Sequence, residues 1–186
     1  DISFNQDQKD NENGRKTHFF SNSKINLETS NFDESEILVK IERTSNDNYI
    51  NLYSLEDKES IVNDTTVLES SAAYTASKDN LTLDLSVESY ETQNQANSDR
   101  FEFVYPNYSV SSLLNSNYDL INNYTFSSSG NQKKFSTNIY EAVQINDLIT
   151  TSNDFINNFG LLNKFEVLLK NVNSVGKNSS KFKDNE

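Results

Sequence analysis

Leu81-Thr82-Leu83-Asp84-Leu85-Ser86-Val87 alternates apolar and polar side chains without interruption, and the alternation runs on through Glu88, Ser89 and Tyr90. In an extended chain successive side chains point to opposite faces, so this segment has one aliphatic face and one polar, acidic face. A strand of this kind covers the core of a soluble sheet. It also forms the wall of a membrane barrel, where the aliphatic face meets lipid and the polar face meets a water-filled lumen.

The same design recurs on both sides of this stretch. Ile37, Val39 and Ile41 oppose Lys40 and Glu42, and Phe165, Val167 and Leu169 oppose Lys164, Glu166 and Lys170. Less regular strand patterns cover Phe19–Leu27, Tyr49–Leu55, Val67–Ala76, Arg100–Tyr105, Tyr118–Phe126, Lys134–Ala142 and Gln144–Thr151. The spacers Thr29–Ser35, Glu56–Asp64, Ser77–Asn80, Gln93–Asp99, Ser127–Gln132 and Asn153–Gly160 are rich in Asn, Asp, Ser and Gly and are predicted to turn. Strands joined in sequence by turns predict an all-β, antiparallel up-and-down meander. Gly160–Asn171 also fits a helical period through Leu161, Leu162, Phe165, Leu168 and Leu169, but its β-patterned surroundings favour a strand.

Composition narrows the choice. Of 186 residues only 34% are hydrophobic, with four glycines, one proline and a net charge of -12, a thin apolar supply for filling a compact core. Polar residues are dominated by 29 asparagines and a comparable number of serines, while Tyr and Phe bring the aromatic share to 11%. No apolar run approaches the ~18 residues of a spanning helix, and no leader pattern occurs over Asp1–Ser30. Strands of ~10 residues tilted by ~40° span about 25 Å, the height of an outer-membrane apolar band. Aromatics such as Tyr49, Tyr90, Tyr105, Tyr118 and Phe126 sit near strand ends. An interfacial girdle and a simple strand preference account for this equally well. The absence of methionine and the charged, Asn-rich tail from Ser174 lead us to expect an internal fragment of a longer protein.

Chemistry-bearing patterns are sparse. With no cysteine, disulfides, zinc–thiolate centres and thiol catalysis are excluded. His18, the single histidine, adjoins Phe19 and Phe20 and is expected to be exposed or interfacial, not a catalytic base. Asp84 and Glu88 are ~13 Å apart along one strand, too far for paired carboxylate chemistry within it. Asn46-Asp47-Asn48 and Asn63-Asp64 lack the glycine and the terminal Glu of a calcium loop, and Gly14, Gly130, Gly160 and Gly176 stand alone, without a phosphate-binding pattern. Asn-x-Ser/Thr sequons such as Asn80-Leu81-Thr82 follow from the composition. The acidic balance argues against a nucleic-acid partner. Neither enzymatic activity nor a cofactor or metal is expected.

Three stretches, Glu42–Tyr53 continuing into Val67–Tyr74, Ser98–Tyr108 with its proline, and Asn158–Asn171 with Gly176-Lys177-Asn178, resemble the LptD/OstA family of outer-membrane lipopolysaccharide-assembly (organic solvent tolerance) proteins. In order and spacing the resemblance extends over about Thr17–Lys183. It implies a partial slice of a transmembrane β-barrel, with 1–16 a polar loop, 17–172 middle strands, and 173–186 a polar extramembrane loop. The family's periplasmic jelly-roll domain, its terminal strands and the gate between them would lie outside this slice. The resemblance further implies the cell outer membrane of a Gram-negative type of cell and contact with outer-membrane lipid and lipopolysaccharide. An LptE-like plug lipoprotein and periplasmic bridge proteins would be the partners. Leu81, Leu83, Leu85, Val87, Phe165, Val167 and Leu169 would face lipid, and Asp84, Ser86, Glu88, Lys164, Glu166 and Lys170 the lumen. The family's cysteines are absent here, and the Asn-rich composition departs from its better-known members. A secreted or surface-exposed β-sandwich or solenoid that binds carbohydrate or protein is the alternative.

Overall fold

The computed structural model describes residues 2–5, 16–47, 66–96 and 99–182. Eleven strands run through them: β1 (Ile2–Asn5), β2 (Lys16–Asn26), β3 (Glu34–Thr44), β4 (Val67–Lys78), β5 (Leu81–Thr92), β6 (Phe101–Asn115), β7 (Ile121–Phe135), β8 (Tyr140–Ser152), β9 (Phe155–Ile156), β10 (Leu162–Asn163) and β11 (Glu166–Lys177). Nine form one antiparallel meander in the order β1-β2-β3-β4-β5-β6-β7-β8-β11, and β9 and β10 form a small hairpin between β8 and β11. The all-β meander expected from the alternation is therefore present, and the Gly160–Asn171 stretch is extended, not helical.

Asparagine and aspartate make the turns. Asp79, Asn94, Asn138 and Asn178 adopt positive φ, a region their short polar side chains tolerate, and glycine supplies it only at Gly160 among the described residues. At these three asparagines and one aspartate the chain uses Asn and Asp where glycine often stands.

The single proline marks an irregularity. Pro106 has no N–H to give a ladder, and the register shifts between Val104 and Asn107 on the β7 side and between Ser86 and Glu88 on the β5 side. The Tyr105–Pro106 peptide is cis.

Several boundaries differ from the sequence reading. Ser127–Gln132 is not a turn but the middle of β7, and the expected strand Lys134–Ala142 is broken by the β7–β8 turn. There Phe135 N–H donates to Ile139 O at 3.0 Å. Serine and glycine mislead at this point because Ser128 serves as a cross-strand hydrogen-bonding residue and Gly130 as a site of close packing. A Cβ on Gly130 would lie 2.8 Å from Tyr108 Cε1 and 2.8 Å from Val143 O. The polar segment expected at 1–16 contains β1, and β11 continues past 172 to Lys177. Beyond β11 the chain folds back, so that Ser179 Oγ donates to Glu141 Oε1 at 2.6 Å. The strand expected at Tyr49–Leu55 and the turn at Glu56–Asp64 lie outside the described residues.

The sheet is a single layer. Strands contact mainly their ladder neighbours, and the edge strands β1 and β11 each have one partner among the described residues. The buried apolar side chains there are Phe20, Leu68, Ala76 and Val104. A chain with little apolar material has covered little of it: much of the aliphatic face stays exposed, while His18, Phe20, Glu42, Leu68 and Glu91 are buried toward one end of the sheet.

Candidate functional site: the two faces of the sheet

Ladder register fixes which side chains share a face. Leu85 is opposite Tyr74, which is opposite Ile37, and Val87 is opposite Ala72, which is opposite Val39. On the other side Leu83 is opposite Val110, and Leu81 leads through Ser112 and Phe126 to Leu148 and Leu169. One face therefore carries Leu81, Leu83, Leu85, Val87, Val167 and Leu169 together. Phe165 joins them just before β11, where Ser152 N–H donates to its carbonyl at 2.9 Å. Leu81 and Leu83 are half-buried and the others exposed, Val87 at 50% and Leu169 at 63%.

The apolar patch crosses the ladder obliquely. From the level of Asp84, midway along Leu81–Val87, the cross-strand row runs through Ser109, Ser129 and Ile145 to Val172 of β11. The centre of the apolar set Phe165, Val167 and Leu169 lies five residues away, at Val167. A drift of five residues at about 3.3 Å each over four strand spacings of about 4.8 Å corresponds to strands inclined at about 40° to the normal of the band.

Along the same rows the patch gives way to amides. Leu85 leads through Tyr108, Gly130 and Gln144 to Asn173, and Leu83 through Val110, Ser128 and Asn146 to Asn171. Ser128 Oγ donates to Asn146 Oδ1 at 2.7 Å, and Asn173 Nδ2 donates to Asn171 Oδ1 at 2.7 Å and to Gln144 Oε1 at 3.4 Å. This network satisfies its own polar groups at one border of the band.

The opposite face carries Asp84, Ser86 and Glu88 on β5 and Glu166 and Lys170 on β11. Glu88 is the most elaborately held. Ser86 Oγ donates to its Oε1 at 2.6 Å and Asn107 Nδ2 at 3.1 Å, while Tyr90 Oη donates to Oε2 at 2.8 Å. It lines a concavity of about 650 Å³ together with Tyr90, Asn107 and the ion pair Lys133–Glu102 at 2.6 Å. Asp84 stands apart from this group and is exposed. Glu166 is exposed at the start of β11, Lys170 reaches Asp147 only at 3.8 Å, and Lys164 lies between β10 and β11, outside any strand. The six predicted polar residues thus form two groups four strands apart, not one site.

Charged residues outside the expected lumen-facing set are also held. Glu42 is buried on the polar face, where Oε2 accepts from Glu69 N–H at 2.8 Å and Oε1 lies 2.9 Å from Lys40 Nζ. At the end of the sheet where β5 passes into β6, Arg100 bridges Glu91 at 2.5 Å and Asp47 at 2.6 Å, and Arg43 takes the second oxygen of Glu91 at 3.0 Å. Burial opposes the charge on Arg100, but its hydrogen bonds to Glu91 and Asp47 outweigh that and raise its pKa above the ordinary value. Because the quartet joins positions up to 57 residues apart, no local pattern could have announced it.

His18, expected exposed or interfacial, is buried with its ring stacked on Phe20 at 5.1 Å between centroids. The i, i+2 spacing that places both rings on one side of β2 was the available signal. Among the described residues no group of three or more His, Asp or Glu side chains is placed to hold a metal ion. No family model, curated protein or solved structure matches the chain.

Proposed function

We propose that the chain is wall of an outer-membrane β-barrel belonging to a lipopolysaccharide-assembly protein, the class its strand segments resemble. The oblique apolar band carries the barrel half of this reading. Barrel strands tilt by about 35–45° from the axis, so a lipid-facing belt perpendicular to that axis must cross the ladder at the same angle. The drift from Leu81–Val87 to Phe165–Leu169 gives about 40° on this reasoning.

On this reading Leu81, Leu83, Leu85, Val87, Phe165, Val167 and Leu169 face lipid. Asp84, Ser86, Glu88, Glu166 and Lys170 face the lumen, where Glu88 and its three donors stiffen the wall. Lipopolysaccharide, a plug lipoprotein and periplasmic bridge proteins are the partners, and no bond is made or broken.

Depletion of the intact protein from its own cells tests both halves. The expected result is that the protein fractionates with the outer membrane and that surface lipopolysaccharide falls as it is lost. Unchanged surface lipopolysaccharide overturns the assembly role alone. Recovery of the intact protein in the soluble fraction overturns the barrel and favours the β-sandwich or solenoid.

A further inference from the structure

Between β8 and β11 the chain makes the β9–β10 hairpin, Phe155-Ile156-Asn157-Asn158-Phe159-Gly160-Leu161-Leu162-Asn163, nine residues without a charge, bounded by Asp154 and Lys164. Its apolar side chains point outward: Phe159 is 89% exposed, Ile156 71%, Leu162 67% and Leu161 61%. Water is a poor environment for such a tip.

The turn at the tip is held by local hydrogen bonds. Asn157 Oδ1 accepts from Phe159 N–H and Leu161 N–H at 3.0 Å each, Asn157 N–H donates to Leu161 O at 3.0 Å, and Gly160 N–H donates to Asn157 O at 3.0 Å. Asn163 Nδ2 donates to Leu161 O at 2.7 Å and to Phe155 O at 3.4 Å. Apolar side chains turned outward from a locally bonded turn suit the border of the hydrocarbon, where the side chains enter lipid and the outer backbone edges of the ribbon stay within reach of water.

The hairpin also continues the apolar band. Phe155 meets Phe165 edge-on at 6.5 Å between ring centroids. At its base Asn153 Nδ2 donates to Asp119 O at 2.8 Å, tying it to a β6–β7 loop that exposes Tyr118 and Leu120. At the other end of the sheet the β7–β8 turn residues 136–138 are exposed and polar.

We infer that the β9–β10 hairpin is a lipid anchor, its Ile156, Phe159, Leu161 and Leu162 side chains inserted among acyl chains at the border of the barrel's apolar band. The inference rests on the barrel reading and extends it from the strands to a connection. Lipid, not a protein, is the occupant because the tip has no charge to specify a partner and adjoins the band directly.

Tryptophan placed at Phe159 or at Leu85 in the intact protein, reconstituted in vesicles of phosphatidylethanolamine and phosphatidylglycerol with or without brominated phosphatidylcholine, tests this. The emission added by Phe159→Trp should be blue-shifted and quenched by the brominated lipid, as should that of Leu85→Trp. Quenching at Leu85→Trp with red-shifted, unquenched emission at Phe159→Trp overturns the anchor and leaves the barrel standing. Blue-shifted but unquenched emission at Phe159→Trp, as when a second copy or another protein covers the tip, overturns it too. Quenching at neither position removes the barrel reading along with it.

Discussion

Strands β5 and β11 carry the same alternation of aliphatic and charged residues, yet the sheet treats them differently. β5 has a neighbour on each side, and its Glu88 collects three side-chain hydrogen bonds from β5 and β6 while Glu91 at its end is buried among two arginines. β11 has one neighbour among the described residues, its aliphatics stay open, and Lys170 comes only within 3.8 Å of Asp147. An identical pattern therefore specifies two faces without specifying how firmly either is held. That depends on how many strands adjoin it and on what they present.

The sharpest way to break this contrast is to remove a charge from each strand. Glu91→Ala leaves the half-exposed Arg43 without its carboxylate and Arg100 with Asp47 alone, and is expected to cost about 2–4 kcal/mol through the three charge-assisted hydrogen bonds lost. Denaturant titration of the intact protein in vesicles measures it. A cost below about 1 kcal/mol there means that the quartet around Glu91 contributes no more than a surface pair.

Arginine substitutions next test the tilt. Leu85 and Asn173 share a cross-strand row, whereas Leu85 and Val167 share the oblique band. Leu85→Arg and Val167→Arg should each cost about 2–4 kcal/mol on folding into lipid vesicles, and Asn173→Arg only about 0–1 kcal/mol. Equal costs at Leu85 and Asn173 would place the band along the row and abolish the inferred inclination.

Two glycines sharpen the comparison further. Gly130→Ala sets a methyl against Tyr108 and the Val143 carbonyl inside the paired part of the sheet, and should cost about 1–3 kcal/mol by overpacking. Gly160→Ala meets nothing within 4 Å and should lose only about 1 kcal/mol to its positive φ of 75°. Equilibrium unfolding of the two variants side by side would reverse this order if the β6–β7–β8 packing were loose. The smallest effect is expected on β11: Lys170→Ala removes a long, half-exposed pair and should shift stability by less than about 1 kcal/mol in the same titration.

Most strands were legible because each needs only a period of two and a turn at either end. The misread turn has a tertiary cause. Ser127–Gln132 has turn composition, but Ser128 bonds to Asn146 and Gly130 lies beneath Tyr108, partners on strands that no local window contains. His18 is a different case: its stacking partner Phe20 is two residues along the same strand, but the burial of that end of the sheet is not a local property.

By itself the sequence determined that the chain is all-β and that its strands are two-faced, with asparagine and aspartate at many of the bends, because side-chain alternation and turn preference belong to the covalent chain. Only the tertiary structure decided that the aliphatic segments align at a slant and that Glu91 gathers Arg43 and Arg100. It also set the apolar hairpin beside Phe165. Those relations are set by register, which is cumulative from strand to strand and exists only once the ladder has formed.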